Sequence, residues 1–189
     1  AASTKPFGFM PFYTGPGLGG HCIPIDQYYL KWKAKELGRP TRFIELAGEV
    51  NTVMPRYVVD RTVHGRNEEK KAANGARVLV LGLAYKPDID DTRESPAFEI
   101  IGLLRELGSQ VEYSDPHVPA TKPVRRADLR MTSVELTPEA VAVYAAVIVV
   151  TDHRAFDFGM VARHAKLIID TRNALAPHAG AITGRLIKA

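Results

Sequence analysis

The chain has 189 residues, 46% hydrophobic and 24% charged, with a formal net charge of +4, which is the balance of an ordinary globular protein. No apolar run approaches the ~18 residues that span a membrane. The Lys and Arg are scattered with no recurring aromatic–basic motif, which sets nucleic acid aside and leaves a mild attraction for small anions. The single cysteine, Cys22, excludes an internal disulfide and fits a reducing, cytoplasmic compartment. Ala1–Thr4 lacks the apolar core of a signal peptide, and with no initiator Met the expectation is the C-terminal part of a longer protein.

Residues 1–26 read as an irregular, aromatic-rich segment. Phe7, Phe9, Phe12 and Tyr13 suit either a core or the wall of a pocket for a base or sugar ring. The segment ends in a loop with Gly15, Gly17, Gly19 and Gly20, followed by Cys22 and, four residues on, Asp26. Glycines this dense let backbone bend sharply and approach a ligand, while Pro16 and Pro24 stiffen the loop. Cys22 is either a presented nucleophile or, like most lone cysteines, core filler.

A helix is expected over 27–37, stopped by Gly38 and Pro40. A longer one follows over 41–63, where Phe43, Leu46, Ala47, Val50, Met54, Tyr57 and Val58 recur at three- and four-residue steps. Pro55 inside this run withholds an amide from the Asn51 carbonyl and predicts a kink. The stripe needs a partner, either its own domain or a second subunit. Residues 64–75 have charges and glycines without periodicity and read as an exposed connection, with 67–75 as linker between a first region, 1–66, and a second, 76–189.

The second region alternates strands and helices. Apolar runs at 77–82, 110–113, 146–151 and 166–170 read as strands. Ser95-Pro96 and Thr137-Pro138 open helices by cap and first-turn proline, and a further helix is expected to begin at Asp152 or His153. This order implies a doubly wound parallel α/β sheet, Rossmann-like, with ligands beyond the carboxyl ends of its strands. Lys86, Asp152 and Arg172 fall just past strand ends, so one edge gathers them. Lys86 alone reads as a solvated lysine, Arg93 as a surface ion pair, and Arg172 as a planar contact to phosphate or uracil. His21 and His153 read as structural. Residues 174–189 give no clear pattern. After the first strand stands Gly82-Leu83-Ala84-Tyr85-Lys86 rather than G-x-G-x-x-G, so this is not a dinucleotide domain. No Cys, His and carboxylate set has metal-ligand spacing, so no metal is expected.

Three ordered blocks carry a resemblance. They are Phe7–Tyr29 around Gly15–Asp26, then Gly82-Leu83-Ala84-Tyr85-Lys86-Pro87-Asp88 through Asp91-Thr92-Arg93-Glu94-Ser95-Pro96, and finally Asp170-Thr171-Arg172-Asn173. Together they resemble the UDP-glucose/GDP-mannose dehydrogenase family, and within it the bacterial UDP-N-acetylglucosamine 6-dehydrogenases. Thr14 and Gln27 depart from it, standing where the family usually has proline.

The resemblance implies an NAD-dependent oxidation of a UDP-sugar C6 alcohol to a carboxylate through a Cys22 thioester, with Asp26 assisting. It implies substrate contacts from Phe12, Tyr13, Gly15, Gly17, Gly19, Tyr85, Lys86 and Arg172, and a cofactor contact from Arg93. It also implies a homodimer through 41–63 and an NAD domain lying N-terminal to this chain. A non-catalytic nucleotide-sugar-binding module and a pure dimerisation segment are the alternatives.

Overall fold

The computed structural model describes residues 4, 13–20, 22–122 and 129–189. Phe7, Phe9, Phe12 and His21 lie outside them. The element order is α1 (Cys22–Glu36), α2 (Arg42–Glu68), β1 (Arg77–Leu81), α3 (Pro96–Glu106), β2 (Gln110–Ser114), α4 (Pro138–Val143), β3 (Ala146–Val149), α5 (Phe158–His164), β4 (Leu167–Asp170), a 3₁₀ turn (Ala176–Ala181) and β5 (Arg185–Lys188).

The five strands form one parallel sheet in the order β2-β1-β3-β4-β5, the expected doubly wound arrangement. The chain leaves β1 toward β2 and returns to β3 on the other side of β1. The switch point therefore lies at the carboxyl ends of β1 and β3, where such sheets take their ligands. Alternation along β1 sorts the core into two layers. Val78 and Val80 face a cluster with Val58 and Val59 of α2 and Ile100, Ile101 and Leu104 of α3. Leu79 and Leu81 face Val141 of α4 and Met160 and Val161 of α5. Both faces of the sheet are covered, which is why its strands read as unbroken apolar runs.

Four expectations change. The first helix starts at Cys22 rather than 27. Pro24 does not prevent this, because the first four amides of a helix have no intrahelical acceptor and a proline there forfeits no bond. The second helix contains Pro55 and runs past 63 to Glu68. Gly65 lies inside it at a close packing point, where a Cβ would come within 2.6 Å of Ile187 Cδ1. The helix after β3 starts at Phe158, capped by Asp157, whose Oδ1 accepts the Met160 N–H at 2.8 Å. His153 therefore does not open a helix; it is fully buried. Finally, the tail supplies a fifth strand, β5. Among the described residues no helix is long and apolar enough to cross a membrane.

Candidate active site

The glycine loop lies across the carboxyl edge of the sheet and touches two of the predicted side chains. A Cβ on Gly15 would come within 2.4 Å of Arg172 Nη1, and one on Gly19 within 2.6 Å of Tyr85 Cβ. Gly20 has φ +89°, and its Cβ would meet the Tyr85 ring at 2.7 Å, so only glycine fits here. The Gly20 N–H donates to the Arg93 carbonyl at 2.9 Å. On its other side the loop is tied to α2, where Asn51 Oδ1 accepts the Leu18 N–H at 2.7 Å. Gly17, at φ +134°, sits over Pro96 and Asn51.

Cys22 follows as the first residue of α1 and is exposed, which rules out core filler. It stands at the positive end of a 15-residue helix, among amides without intrahelical partners, a setting that stabilises developing negative charge. Asp26, also exposed, is four residues on and so one helical turn away on the same side. Arg93 meets the loop through its backbone carbonyl, which accepts the Gly20 N–H. Its exposed guanidinium is paired bidentately with Asp91, Nε on Oδ1 at 3.0 Å and Nη2 on Oδ2 at 2.7 Å, and that hydrogen bonding raises its pKa.

Arg172 is half-buried at the loop's other end. Its Nε donates to the Val150 carbonyl at 2.8 Å and its backbone N–H to Asp170 Oδ1 at 3.0 Å. Burial pulls its pKa below the usual arginine range, with Asp152 opposing, so an anion arriving here meets a poorly hydrated cation. Lys86 is exposed, its ammonium 5.4 Å from the Tyr85 ring centroid. Tyr13 is exposed at the entry to the loop, and Phe12 lies outside the described residues. The structure thus gathers Gly15, Gly17, Gly19, Tyr85, Arg93, Arg172 and Cys22 along one loop, and leaves Lys86 and Tyr13 open to solvent at its margin.

Sequence reasoning missed Asn51, Thr151 and Asp115, the partner of His153. Thr151 Oγ1 donates to the Ala84 carbonyl at 2.6 Å. Its own atoms fill the space over Gly82, where a Cβ would fall 2.5 Å from Thr151 Cβ. The space directly over Gly82 is therefore filled by protein. The fold also brings Asp88, His117 and His153 together, with one candidate ligand atom from each within 4.8 Å of the others. Both ring nitrogens of His153 are already hydrogen-bonded within the protein, so the group is a polar network rather than a cation site. A groove of about 760 Å³ lies between α1, α2 and the segment before α3. Cys22, Lys86 and Arg172 are not among its lining residues.

Two family models match this chain. The UDP binding domain of the UDP-glucose/GDP-mannose dehydrogenase family covers residues 79–177, and the central domain of that family covers residues 1–53. The chain belongs to this family, whose members are NAD-dependent dehydrogenases. It is 40% identical over 121 residues to a UDP-N-acetyl-D-glucosamine 6-dehydrogenase of Pseudomonas aeruginosa, covering 64% of this chain and 28% of the relative. It is 32% identical over 169 residues to a UDP-N-acetyl-D-mannosamine dehydrogenase of Methanococcus maripaludis, covering 85% of this chain and 36% of the relative. The solved structure of a UDP-D-ManNAc dehydrogenase from Pyrococcus horikoshii matches with a TM-score of 0.75 at 29% identity, over 98% of this chain and 42% of that one. The chain spans about a third of the length of the curated relatives it matches.

Proposed function

We propose that this chain is the substrate-binding and nucleophile-bearing part of an NAD-dependent UDP-sugar 6-dehydrogenase of the cytoplasm, with UDP-N-acetylglucosamine as its substrate. The observation that carries this is the placement of Cys22. It is exposed at a helix N-terminus, directly after a glycine loop seated on Tyr85 and Arg172. The first region, 1–66, supplies the nucleophile and a dimerisation helix, 67–75 links, and 76–189 clasps the UDP.

Arg172 and Lys86 are the cations for the diphosphate or uracil, Tyr85 and the backbone at Gly15, Gly17 and Gly19 the walls, with Tyr13 at the entry and Phe12 as a further substrate contact. NAD, held outside these residues and reached by Arg93, supplies the hydride acceptor for both oxidations. Once the C6 alcohol is an aldehyde, the Cys22 thiolate adds to its carbonyl carbon and the oxygen becomes an alkoxide that the helix amides stabilise. Protonation gives the thiohemiacetal. Loss of its C6 hydride and its hydroxyl proton gives a thioester on Cys22, and water opens that to the carboxylate and frees the thiol. Asp26 beside the sulfur holds a water or an ammonium in place, since a carboxylate there repels a thiolate.

The test is NADH formation by the full-length protein offered UDP-N-acetylglucosamine, UDP-N-acetylmannosamine and UDP-glucose in parallel. Turnover of the first alone is expected. Cys22→Ser should abolish it. Unchanged turnover in that variant overturns the mechanism, and silence on all three sugars favours a binding module that keeps Lys86 and Arg172 and has no use for Cys22. The chain alone is expected to make no NADH.

A further inference from the structure

Beneath the Tyr85–Lys86 turn lies a buried ionisable pair that takes no part in the chemistry above. Asp115 follows β2 and His153 follows β3, and neither side chain is exposed to solvent. The turn they flank leaves β1 between them. Asp115 Oδ2 accepts the N–H of Leu83 at 2.6 Å and of Ala84 at 3.0 Å. The same oxygen accepts from His153 Nε2 at 3.0 Å. The other ring nitrogen, His153 Nδ1, accepts the N–H of Asp88 at 2.9 Å. This acceptor role leaves the ring proton on Nε2, where it meets the carboxylate. The Asp88 carboxylate in turn receives the Arg154 N–H at 2.9 Å and its Nε at 2.6 Å.

The turn is therefore gripped from below at 83, 84 and 88, one hydrogen-bonded unit holding both of its ends. Tyr85 and Lys86 sit between those anchors, and Tyr85 is the residue on which Gly19 and Gly20 rest. A buried carboxylate and imidazole are costly to leave unpaired, so the network has one low-energy arrangement, and the turn inherits it. We infer that the Asp115–His153 pair is a positioning device that fixes the Tyr85–Lys86 turn against the glycine loop and thereby sets the affinity for a nucleoside-diphosphate sugar. The inference rests on the site assigned under the proposed function.

The probe is UDP titrated into the full chain by calorimetry, combined with amide exchange by NMR on the unliganded chain. His153→Gln keeps a donor toward Asp115 but withdraws the acceptor at the Nδ1 position. It should speed exchange at Asp88 by about tenfold and weaken UDP binding by a similar factor, below the melting temperature of the variant. His153→Asn keeps the acceptor near Asp88 and should lose less. A merely structural role would lower the melting temperature without coupling to Lys86, so the double variant decides. Lys86→Ala should cost less affinity in the His153→Gln background than in the wild type. Strict additivity overturns the inference, as does unchanged exchange at 83, 84 and 88. Failure of the wild-type chain to bind UDP instead overturns the assigned site and, with it, the affinity half of the inference, while the exchange data still decide the clamp.

Discussion

The two halves of α2 carry similar side chains into opposite surroundings. From Val58 onward the helix is embedded, with Val58, Val59, Thr62 and Gly65 buried against the sheet layer. Before that point Phe43, Leu46, Val50, Val53 and Tyr57 are exposed, Phe43 to 89%. The packed α1 continues this open apolar face with Tyr28, Tyr29 and Trp32. One helix period thus serves two purposes. The C-terminal half is a wall of the α/β core, and the N-terminal half is an open apolar face. The difference teaches that an apolar stripe predicts a helix and a buried face, but not which partner does the burying.

The sharpest way to test the embedded half is Val58→Asp. An unpaired carboxylate among Val78, Val80 and Ile101 has no compensating hydrogen bond, so the loss should be at least about 4 kcal/mol. Chemical denaturation of the chain should show the whole sheet layer losing its cooperative transition. Gly82→Ala probes the same layer at the switch point. The residue sits at φ +85°, and its new Cβ would collide with Thr151, so strain and overpacking together should cost about 3 kcal/mol. A loss under 1 kcal/mol would mean the turn has room to move.

A smaller effect comes from acid. Burial pushes the Asp115 pKa up, but hydrogen bonds from His153 and from the amides of Ala84, His117 and Leu83 outweigh it and hold the group at about 2. The folded value lies below the unfolded one, near 3.9. The pair therefore contributes fully above about pH 4, and its contribution, of order 2 kcal/mol, is lost as pH falls from about 4 to 2. Stability of the wild type against that of Asp115→Asn, measured across this window, should converge at the acid end. A gap that stays constant with pH would count against the assignment.

Much of this was legible in the chain. The strands 77–82, 146–151 and 166–170 stand out because both of their faces are buried, and Ser95-Pro96 and Thr137-Pro138 announce their helices through caps that the structure contains, Ser95 and Thr137 accepting from the Ala97 and Ala140 amides. What could not be read was whatever depends on pairs far apart. Asp115 and His153 are separated by 38 positions, and neither has a local pattern. Asn51 reaches Leu18 across 33 positions. β5 hides because an edge strand of four residues with one buried side chain, Ile187, has too little alternation to notice. Gly65 and Pro24 misled in the same way. Each is a helix breaker by propensity, but Pro24 stands in the first turn, where it forfeits no bond, and Gly65 stands where close packing on Ile187 leaves no room for a Cβ.

The least costly change is also the one that separates the two halves most cleanly. Phe43 lies 89% exposed in this chain, so Phe43→Asp removes almost no buried area and should move the unfolding free energy by less than about 0.5 kcal/mol. If a second copy covers the open face, as proposed for residues 41–63, the same substitution puts a charge into the middle of an apolar interface, and sedimentation should show a dimer falling to a monomer. A Phe43→Asp protein that remains dimeric places the contact elsewhere. A large loss of stability in a chain already shown to be monomeric would mean instead that the exposed half of α2 is covered by another part of its own molecule.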